Sequence, residues 1–292
     1  MGGIRRAAQA LDIDHAAVSR HLRSLEAWTA MSLIDRTQGS RLPTEEGLRY
    51  HQQIAAAIDT IASATADLVK LADDHSLRIA CVPGFAYQWL LSRLGTFEQA
   101  NPTVQADLHP TEAAPDFARH EADVYIGYQP HYALPSEVPL PLLRSVDLAQ
   151  PPVFPVASPD YAAKLAAIQR PDDLLPMSKL HEEDFGNWRA WFDARGVATA
   201  DEDLNGPRFW HGHLTIEAAR RGRGVALANH FLVADDLASG RLMELGRGLP
   251  GFERVALGSY RFVARSDRWT SPPVARFRQW LATMIRRDTE AS

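Results

Sequence analysis

A long run of apolar residues at helical spacing divides the chain into a short N-terminal part and a long C-terminal part. Between residues 44 and 72, apolar positions recur at alternating steps of four and three residues, which is the heptad pattern of a helix that packs against another helix. The stripe includes Ile54, Ile58, Ile61 and Leu68. A single helix cannot bury such a stripe, so the sequence predicts dimerisation through it. Packing against the body of the same chain is the alternative.

The composition is that of a globular protein with unevenly placed charge. Hydrophobic residues make up 46% and charged residues 23% of the 292 residues, which excludes a disordered or fibrous chain. The net charge is 31 − 36 = −5, but residues 1–50 carry seven Arg against six acids, and residues 51–292 carry 24 against 30. The net charges of +1 and −6 are compatible with a small DNA-binding module attached to an acidic body.

Three further features of the sequence indicate where the protein works. Cys81 is the single cysteine, so neither an intramolecular disulfide nor a cysteine zinc site can form. No stretch approaches the roughly 18 apolar residues of a membrane helix, and the N-terminus lacks the apolar core of a signal peptide. We therefore expect a cytoplasmic protein without a membrane partner.

From residue 77 onward, strand-like and helix-like patterns alternate. The predicted strands are residues 77–82, 104–108, 123–128, 151–157, 224–228 and 260–264. The predicted helices are residues 85–99, 161–167, 188–195, 214–221, 234–239 and 274–285. This alternation predicts an α/β fold with mainly parallel sheets, and its length predicts two lobes.

The N-terminal part predicts two short helices joined by a tight turn. Residues 4–11 and 15–27 carry apolar residues at helical spacing, and Asp14 is placed to cap the second helix. Such a pair is the helix-turn-helix pattern. Residues 32–43, with Gly39 at the turn, are expected to form a small wing.

The sequence of this N-terminal part resembles that of the LysR-type transcriptional regulators. The matching residues are Arg6-Ala7-Ala8, Leu11, Ala17-Val18-Ser19-Arg20, Leu22, Leu25-Glu26, Leu33, Arg36, Leu42, Thr44 and Gly47. The resemblance implies a winged helix-turn-helix, a long dimerising linker helix and a two-lobed effector domain similar to periplasmic binding proteins. It also implies a helix ahead of residue 4, so the DNA-binding module is expected to lack its first helix.

The C-terminal part resembles the glycine-cleavage-activator-like branch of the same family. The clearest matches are Trp89-Leu90-Leu91-Ser92-Arg93-Leu94 and Phe154-Pro155-Val156-Ala157-Ser158-Pro159. With this resemblance, the expected domains are residues 1–46 for the winged helix-turn-helix, 47–75 for the linker helix, 77–156 plus 263–292 for lobe 1, and 157–262 for lobe 2.

The resemblance assigns the DNA contacts to the second short helix and the wing. Side chains at the start of the recognition helix would lie near base edges, and arginines would contact phosphates. The base-edge group is His15, Ala16, Ser19 and Arg20, and the phosphate group is Arg23, Arg36 and Arg41. Solvation of a surface by these arginines is the alternative.

The resemblance also implies a small-molecule effector between the lobes. The expected contacts are Pro83, Gly84, Phe85, Ala86, Tyr128 and Gln129 from one lobe and Phe209, Trp210 and His211 from the other. The helix start after Pro83 favours an anionic group. Glu182-Glu183-Asp184 is interpreted as a solvated loop. We expect no catalytic residue, no cofactor and no metal site.

Two functions fit these observations. The first is a ligand-responsive regulator that binds promoter DNA as a homodimer or homotetramer. The second is a dimeric small-molecule-binding protein that has lost DNA binding. An enzyme is disfavoured because no pair of titratable groups is arranged for catalysis.

Overall fold

The computed structural model describes residues 14–35, 42–70, 75–132, 142–165 and 167–290. It comprises two compact units, Met1–Lys70 and Leu71–Ser292, and each is described by itself. The predicted helix at residues 4–11 and the predicted wing turn at Gly39 lie outside the described residues.

The first unit contains the helix that the sequence predicted after Asp14. This helix, α1, spans His15–Thr29, and the Asp14 carboxylate accepts a hydrogen bond of 3.2 Å from the Ala16 N–H at its start. It ends at Ala30, whose φ of 52° is left-handed. The prediction of a helix at residues 15–27 is confirmed.

Two short segments that pair in antiparallel fashion follow α1 and lie at the two ends of the predicted wing. Ile34 and Pro43 make an antiparallel bridge. The Glu26 carboxylate accepts hydrogen bonds from the N–H groups of Leu33 and Ile34 at 2.9 and 3.2 Å. A side chain of α1 therefore fixes the backbone at Leu33 and Ile34.

The second helix of this unit, α2, spans Glu45–Lys70 and is about 39 Å long at 1.5 Å per residue. The Thr44 hydroxyl accepts a hydrogen bond of 3.0 Å from the Gly47 N–H and donates one of 2.8 Å to the Ser32 carbonyl. Gly47 lies so close to the preceding turn that a Cβ would stand 2.1 Å from the Leu33 carbonyl oxygen. The start of α2 therefore requires glycine at this position.

The second unit alternates strands and helices. Its strands are β1 Ser76–Cys81, β2 Gln105–Pro110, β3 Val124–Pro130, β4 Leu143–Ala149, β5 Pro152–Ala157, β6 Lys179–Leu180, β7 Val225–Asn229, β8 Met243–Glu244, β9 Val255–Ala256 and β10 Gly258–Arg265. Its helices are α3, which joins Pro83–Phe85, a π-helical turn at Ala86–Leu90 and Leu91–Ala100, then α4 Pro159–Ala162, α5 Gly186–Asp193, α6 Gly212–Arg220, α7 His230–Ser239 and α8 Pro272–Glu290.

The first lobe is built on a sheet of order β2-β1-β3-β10-β4. Strand β1 pairs in parallel with β2 and β3, and β10 runs antiparallel to β3 and β4. Its core includes buried residues of α3 and α8, among them Phe97 and Phe277, whose rings meet edge to face at 5.2 Å.

The second lobe is built on a sheet of order β6-β7-β5-β8, with β9 also paired to β5. Helix α5 contributes Trp188, Trp191 and Phe192 to its core. The Trp188 indole also donates a hydrogen bond of 3.2 Å to the Leu180 carbonyl, so α5 is fixed to the end of β6.

Both sheets are mixed, so the prediction of mainly parallel sheets is wrong. In the first sheet β10 is antiparallel to both of its neighbours, and among the described strands of the second sheet β5 is antiparallel to β7, β8 and β9, whereas β6 and β7 pair in parallel. The prediction also missed β4, an edge strand with four of its seven residues exposed. Without a buried face, no apolar pattern marks such a strand.

The strand pairing moves the lobe boundaries as well. Strand β5 pairs with β7, β8 and β9 in the second sheet, and β10 pairs along its length in the first sheet. Residues 152–156 and 258–262 therefore lie in the opposite lobe from the one assigned to them. Both strands are apolar enough to fit either sheet, so the boundary is decided by their hydrogen-bonding partners.

Candidate functional site

A cleft of about 380 Å³ lies between the two lobes of the second unit. The first lobe contributes residues that follow β1 and β2 and residues along β3. The second lobe contributes the loop after β6, the end of β7 and the start of α6. The lining residues are Val82, Gly84, Phe85, Glu112, Tyr125, Tyr128, Pro130, Tyr132, Val153, Glu182, Glu183, Asp184, Asn187, Trp210, Gly212, Leu227, Ala228, Asn229, Leu232 and Tyr260.

The charged side chains on this lining are acidic. Glu112 comes from the first lobe, and Glu182, Glu183 and Asp184 come from the second. Burial raises the pKa of the Glu182 carboxyl to about 7, and the negative charges of Glu112 and Asp184 add to the effect. At neutral pH this carboxyl is therefore poised between its two protonation states.

Tyrosine hydroxyls surround the acids. Burial, with a smaller contribution from the charge of Glu112, raises the pKa of Tyr125 to about 12. Burial also raises the pKa of Tyr128 and Tyr132, and nearby carboxylates add to both shifts. All three side chains therefore stay neutral and keep their hydroxyl protons for hydrogen bonding.

Polar contacts join the lobes around the cleft. His211 Nδ1 lies 3.0 Å from Glu112 Oε1, and the Tyr132 hydroxyl donates a hydrogen bond of 3.0 Å to Asn187 Oδ1. A third contact lies away from the lining, where Arg220 donates to Gln88 Oε1 at 3.1 Å. These contacts hold the lobes in the arrangement that encloses the cleft.

Four of the nine effector contacts expected from the sequence line the cleft, namely Gly84, Phe85, Tyr128 and Trp210. The other five do not. Ala86 is in the first-lobe core, the Gln129 amide donates to the Pro130 carbonyl at 3.4 Å, and Phe209 packs on the second-lobe core. Pro83 is outside the lining, and His211 faces Glu112 beside it.

The solvated-loop interpretation of Glu182-Glu183-Asp184 fits Glu183 and Asp184, which are exposed, but it missed that all three residues line the cleft and that Glu182 is partly buried. They follow β6, whose two residues are too few to show a strand pattern, and they come after the buried His181. A strand end beside a cleft is a usual place for ligand-binding residues, so recognition of β6 would have identified this loop.

The expected absence of metal ligation remains a prediction. In the described part of the chain, no three His, Cys, Asp or Glu side chains are grouped so as to hold a metal ion. Cys81 is buried, and burial raises the pKa of its thiol, which disfavours the reactive thiolate. No helix of the described ranges has the length and apolar character to cross a membrane.

The predicted DNA-contact residues on α1 share one face of the helix. Ala16, Arg20 and Arg23 are exposed and Ser19 is partly exposed, at spacings that place them together. Arg23 Nε donates to the Ser19 carbonyl at 3.3 Å. The side chain of His15 and both Arg36 and Arg41 lie outside the description.

The predicted dimerisation stripe is exposed along α2. The exposed fractions of Ile54, Ile58 and Ile61 are 40%, 59% and 66%. Exposed apolar residues in a row along a helix are typical of an interaction surface. Leu68 lies within α2, but its side chain is outside the description.

Two family models together match almost the whole chain. The model described as "LysR substrate binding domain" matches residues 72–286, and the model described as "Bacterial regulatory helix-turn-helix protein, lysR family" matches residues 1–48.

Curated relatives match along almost the whole chain. The glycine cleavage system transcriptional activator of Escherichia coli (strain K12) is 28% identical over 285 residues, which cover 98% of this chain and 90% of that protein. The HTH-type transcriptional activator AmpR of Rhodobacter capsulatus is 28% identical over 285 residues, with coverages of 96% and 91%.

Solved structures share the fold. The effector domain of AmpR of Pseudomonas aeruginosa has a TM-score of 0.60 and 26% identity, and the match covers 74% of this chain and 98% of that one. The LysR-type regulator CrgA of Neisseria meningitidis has a TM-score of 0.58 and 21% identity, with coverages of 97% and 94%. The second likeness concerns the fold alone.

Proposed function

The chain belongs to the LysR family of bacterial transcriptional regulators, and we propose that α1, α2 and the cleft are the three surfaces through which it works. In this proposal α1 reads promoter DNA, α2 pairs two copies of the chain, and the cleft binds a small-molecule effector. The combination of an exposed arginine-bearing face on α1 with a ligand-sized cleft in the second unit carries the proposal.

The exposed face of α1 supports the DNA contact. Ala16, Ser19 and Arg20 lie in the first part of the helix, which in helix-turn-helix proteins meets base edges in the major groove. Arg23 follows one turn later, and we assign it, with Arg36 and Arg41, to phosphate contacts. Arginine at a base edge specifies sequence, whereas arginine at a phosphate supplies affinity that weakens with salt.

The stripe on α2 supports pairing. Burying the exposed side chains of Ile54, Ile58 and Ile61 against a second copy would remove apolar surface from water. We include Leu68 in the same interface on the basis of its heptad position. Two paired helix-turn-helix modules would read two half-sites of one operator.

The cleft supports control by a ligand. It lies between two lobes that touch through side-chain contacts such as Tyr132 with Asn187. A molecule that contacts both lobes favours the arrangement in which those contacts coexist, and so shifts the conformational equilibrium of the protein. This shift is the proposed signal to the DNA-binding part.

Family membership also guides two coarser assignments. The family consists of transcriptional regulators, and we propose accordingly that the chain is not an enzyme. A protein that acts on chromosomal DNA works beside it, so we place this one in the cytoplasm. The alternative of a binding protein without DNA contact is not favoured, because the helix-turn-helix model matches residues 1–48.

A gel-shift series tests the proposal with DNA from upstream of the chain's own gene. Arg20→Ala should weaken specific binding by about 5- to 150-fold, the range for one lost base contact. Arg23→Ala should weaken the binding to all DNA sequences by the same factor. It should also reduce by about one the slope of the logarithm of the binding constant against the logarithm of the salt concentration. Arg247→Ala, which removes an exposed charge from the second unit, is the control. Equal binding by all four proteins, or no binding by the wild type, contradicts the proposal.

A further inference from the structure

The charge of the cleft identifies a class of effector. Glu112, Glu182, Glu183 and Asp184 line it, and among the described lining residues there is no Lys or Arg. Building on the proposed function of the cleft as the effector site, we propose that the effector is a small organic cation, with a protonated amine bound between the Glu182 and Glu112 carboxylates and the tyrosine rings.

Glu182 is the strongest individual indication. No described residue donates a hydrogen bond to its carboxylate, and the carboxylate lies against the first residue of α6, since a Cβ on Gly212 would stand 3.3 Å from Oε1. Burial raises its pKa to about 7. His211 is the one group whose charge lowers this pKa, and a protonated amine would add a further positive charge together with the hydrogen-bond donors that this carboxylate lacks.

The aromatic residues of the lining suit the same ligand. Tyr125, Tyr128, Tyr132 and Trp210 all face the cleft, and the exposed fraction of Trp210 is 61%. The face of an aromatic ring carries partial negative charge and attracts an ammonium group. The carboxylates and the aromatic rings would therefore both attract a cation.

The sequence predicted that the helix start after Pro83 would favour an anionic group. An anionic effector suits the cleft less well than a cation. Pro83 occupies the first position of α3 and has no N–H, and no side chain caps that end. An anion placed there would approach carboxylates of both lobes. Like charges at this distance repel, so the sign of the surrounding side chains outweighs the few backbone donors.

The volume limits the size of the effector. A cleft of about 380 Å³ corresponds to about a dozen water-sized groups at ~30 Å³ each. A molecule of about six to twelve non-hydrogen atoms therefore fits. Acidic groups on both lobes favour a cation that reaches both, such as a short diamine or a compact amino-guanidine.

Three four-carbon compounds of matched length test the sign of the charge. They are 1,4-diaminobutane, 1,4-butanediol and butanedioate, added to the full chain at equal ionic strength and followed by calorimetry and thermal shift. We expect the diamine to bind with a Kd below about 10 mM and to raise the Tm, and the diol and the dianion to do neither. Tighter binding of the dianion, or no binding of the diamine, overturns the proposal.

Variants locate the binding. Glu182→Gln keeps the shape of the side chain, and it should weaken diamine binding at least about tenfold at pH 8, in line with a lost charge-assisted hydrogen bond. Glu202→Gln removes an exposed acid from the same lobe and should leave the affinity unchanged. Equal loss in both variants would indicate a non-specific charge effect and overturn the site.

The same proteins separate this proposal from the function on which it rests. Wild-type chain that shifts promoter DNA but does not bind the diamine refutes the cationic effector and leaves the regulator intact. Wild-type chain that binds the diamine but no DNA refutes the regulator and leaves the cation site intact.

Discussion

Replacing Glu182 with Gln should stabilise the protein in the absence of ligand, and only above acidic pH. The pKa of this carboxyl is raised from 4.5 to about 7 because burial and the neighbouring acids oppose its ionisation. Below pH 4.5 the carboxyl is protonated in both folded and unfolded chains, so it has no effect on stability. Between pH 4.5 and about 7 the unfolded chain ionises first, and the folded state loses stability as the pH rises.

The size of this loss follows from the two pKa values. A pKa raised from 4.5 to about 7 corresponds to about 3.4 kcal/mol at 1.36 kcal/mol for each pKa unit. Glu182 is only partly buried, so water in the cleft screens part of this cost. We expect Glu182→Gln to raise the free energy of unfolding by about 2 kcal/mol at pH 8 and by nearly nothing at pH 4.5.

Urea denaturation followed by tryptophan fluorescence measures the difference, because six of the seven tryptophans belong to the second unit. The groups that face Glu182, namely Glu112, Asp184, His211 and Tyr128, remain in both proteins, so the comparison isolates the removal of one carboxyl. A variant that is less stable than the wild type at pH 8, or equally shifted at both pH values, would refute the reasoning.

Two other substitutions test the assembly and the core. Ile58→Asp places a charge in the exposed stripe of α2 and should give a smaller assembly by light scattering, whereas Gln52→Asp on the opposite face of the helix should not; an unchanged mass for Ile58→Asp contradicts pairing through the stripe. Asp236→Ala removes a buried carboxylate that pairs with Arg220 at 2.6 Å, and should lower the free energy of unfolding by about 3 kcal/mol, whereas Asp235→Ala at the exposed neighbour should lower it by less than about 0.5 kcal/mol. Equal urea midpoints for the last two variants would show that the ion pair does not stabilise the fold.

The helices of the first unit could be predicted because their signals are local. Asp14 is an N-cap by residue type and position, and its carboxylate does accept a hydrogen bond from the start of α1. The apolar stripe of α2 depends only on spacing within one helix, and Ile54, Ile58 and Ile61 lie exposed along it. Such patterns need no knowledge of distant residues.

The strand directions and the lobe boundaries could not be predicted in the same way. Strand β5 is apolar throughout, and β10 carries four apolar residues among its eight; such patterns show burial without showing a partner. Their direction is set where the chain crosses from one lobe to the other. As a result β10 is antiparallel to β3 and β5 is antiparallel to β7, whereas the alternation of elements predicted parallel pairing.

The alternation of strands and helices after residue 77, the capped helix α1, the stripe on α2 and the resemblance to LysR-type regulators could all be read from the sequence alone, because each depends on neighbouring residues or on their order. The chemistry of the cleft was decided only by the tertiary structure. Glu112 and Glu182 are 70 positions apart in the sequence, and each by itself resembles a solvated surface acid. Folding brings both to one cleft, where limited access to water strengthens the interaction between their charges and raises the pKa of one of them.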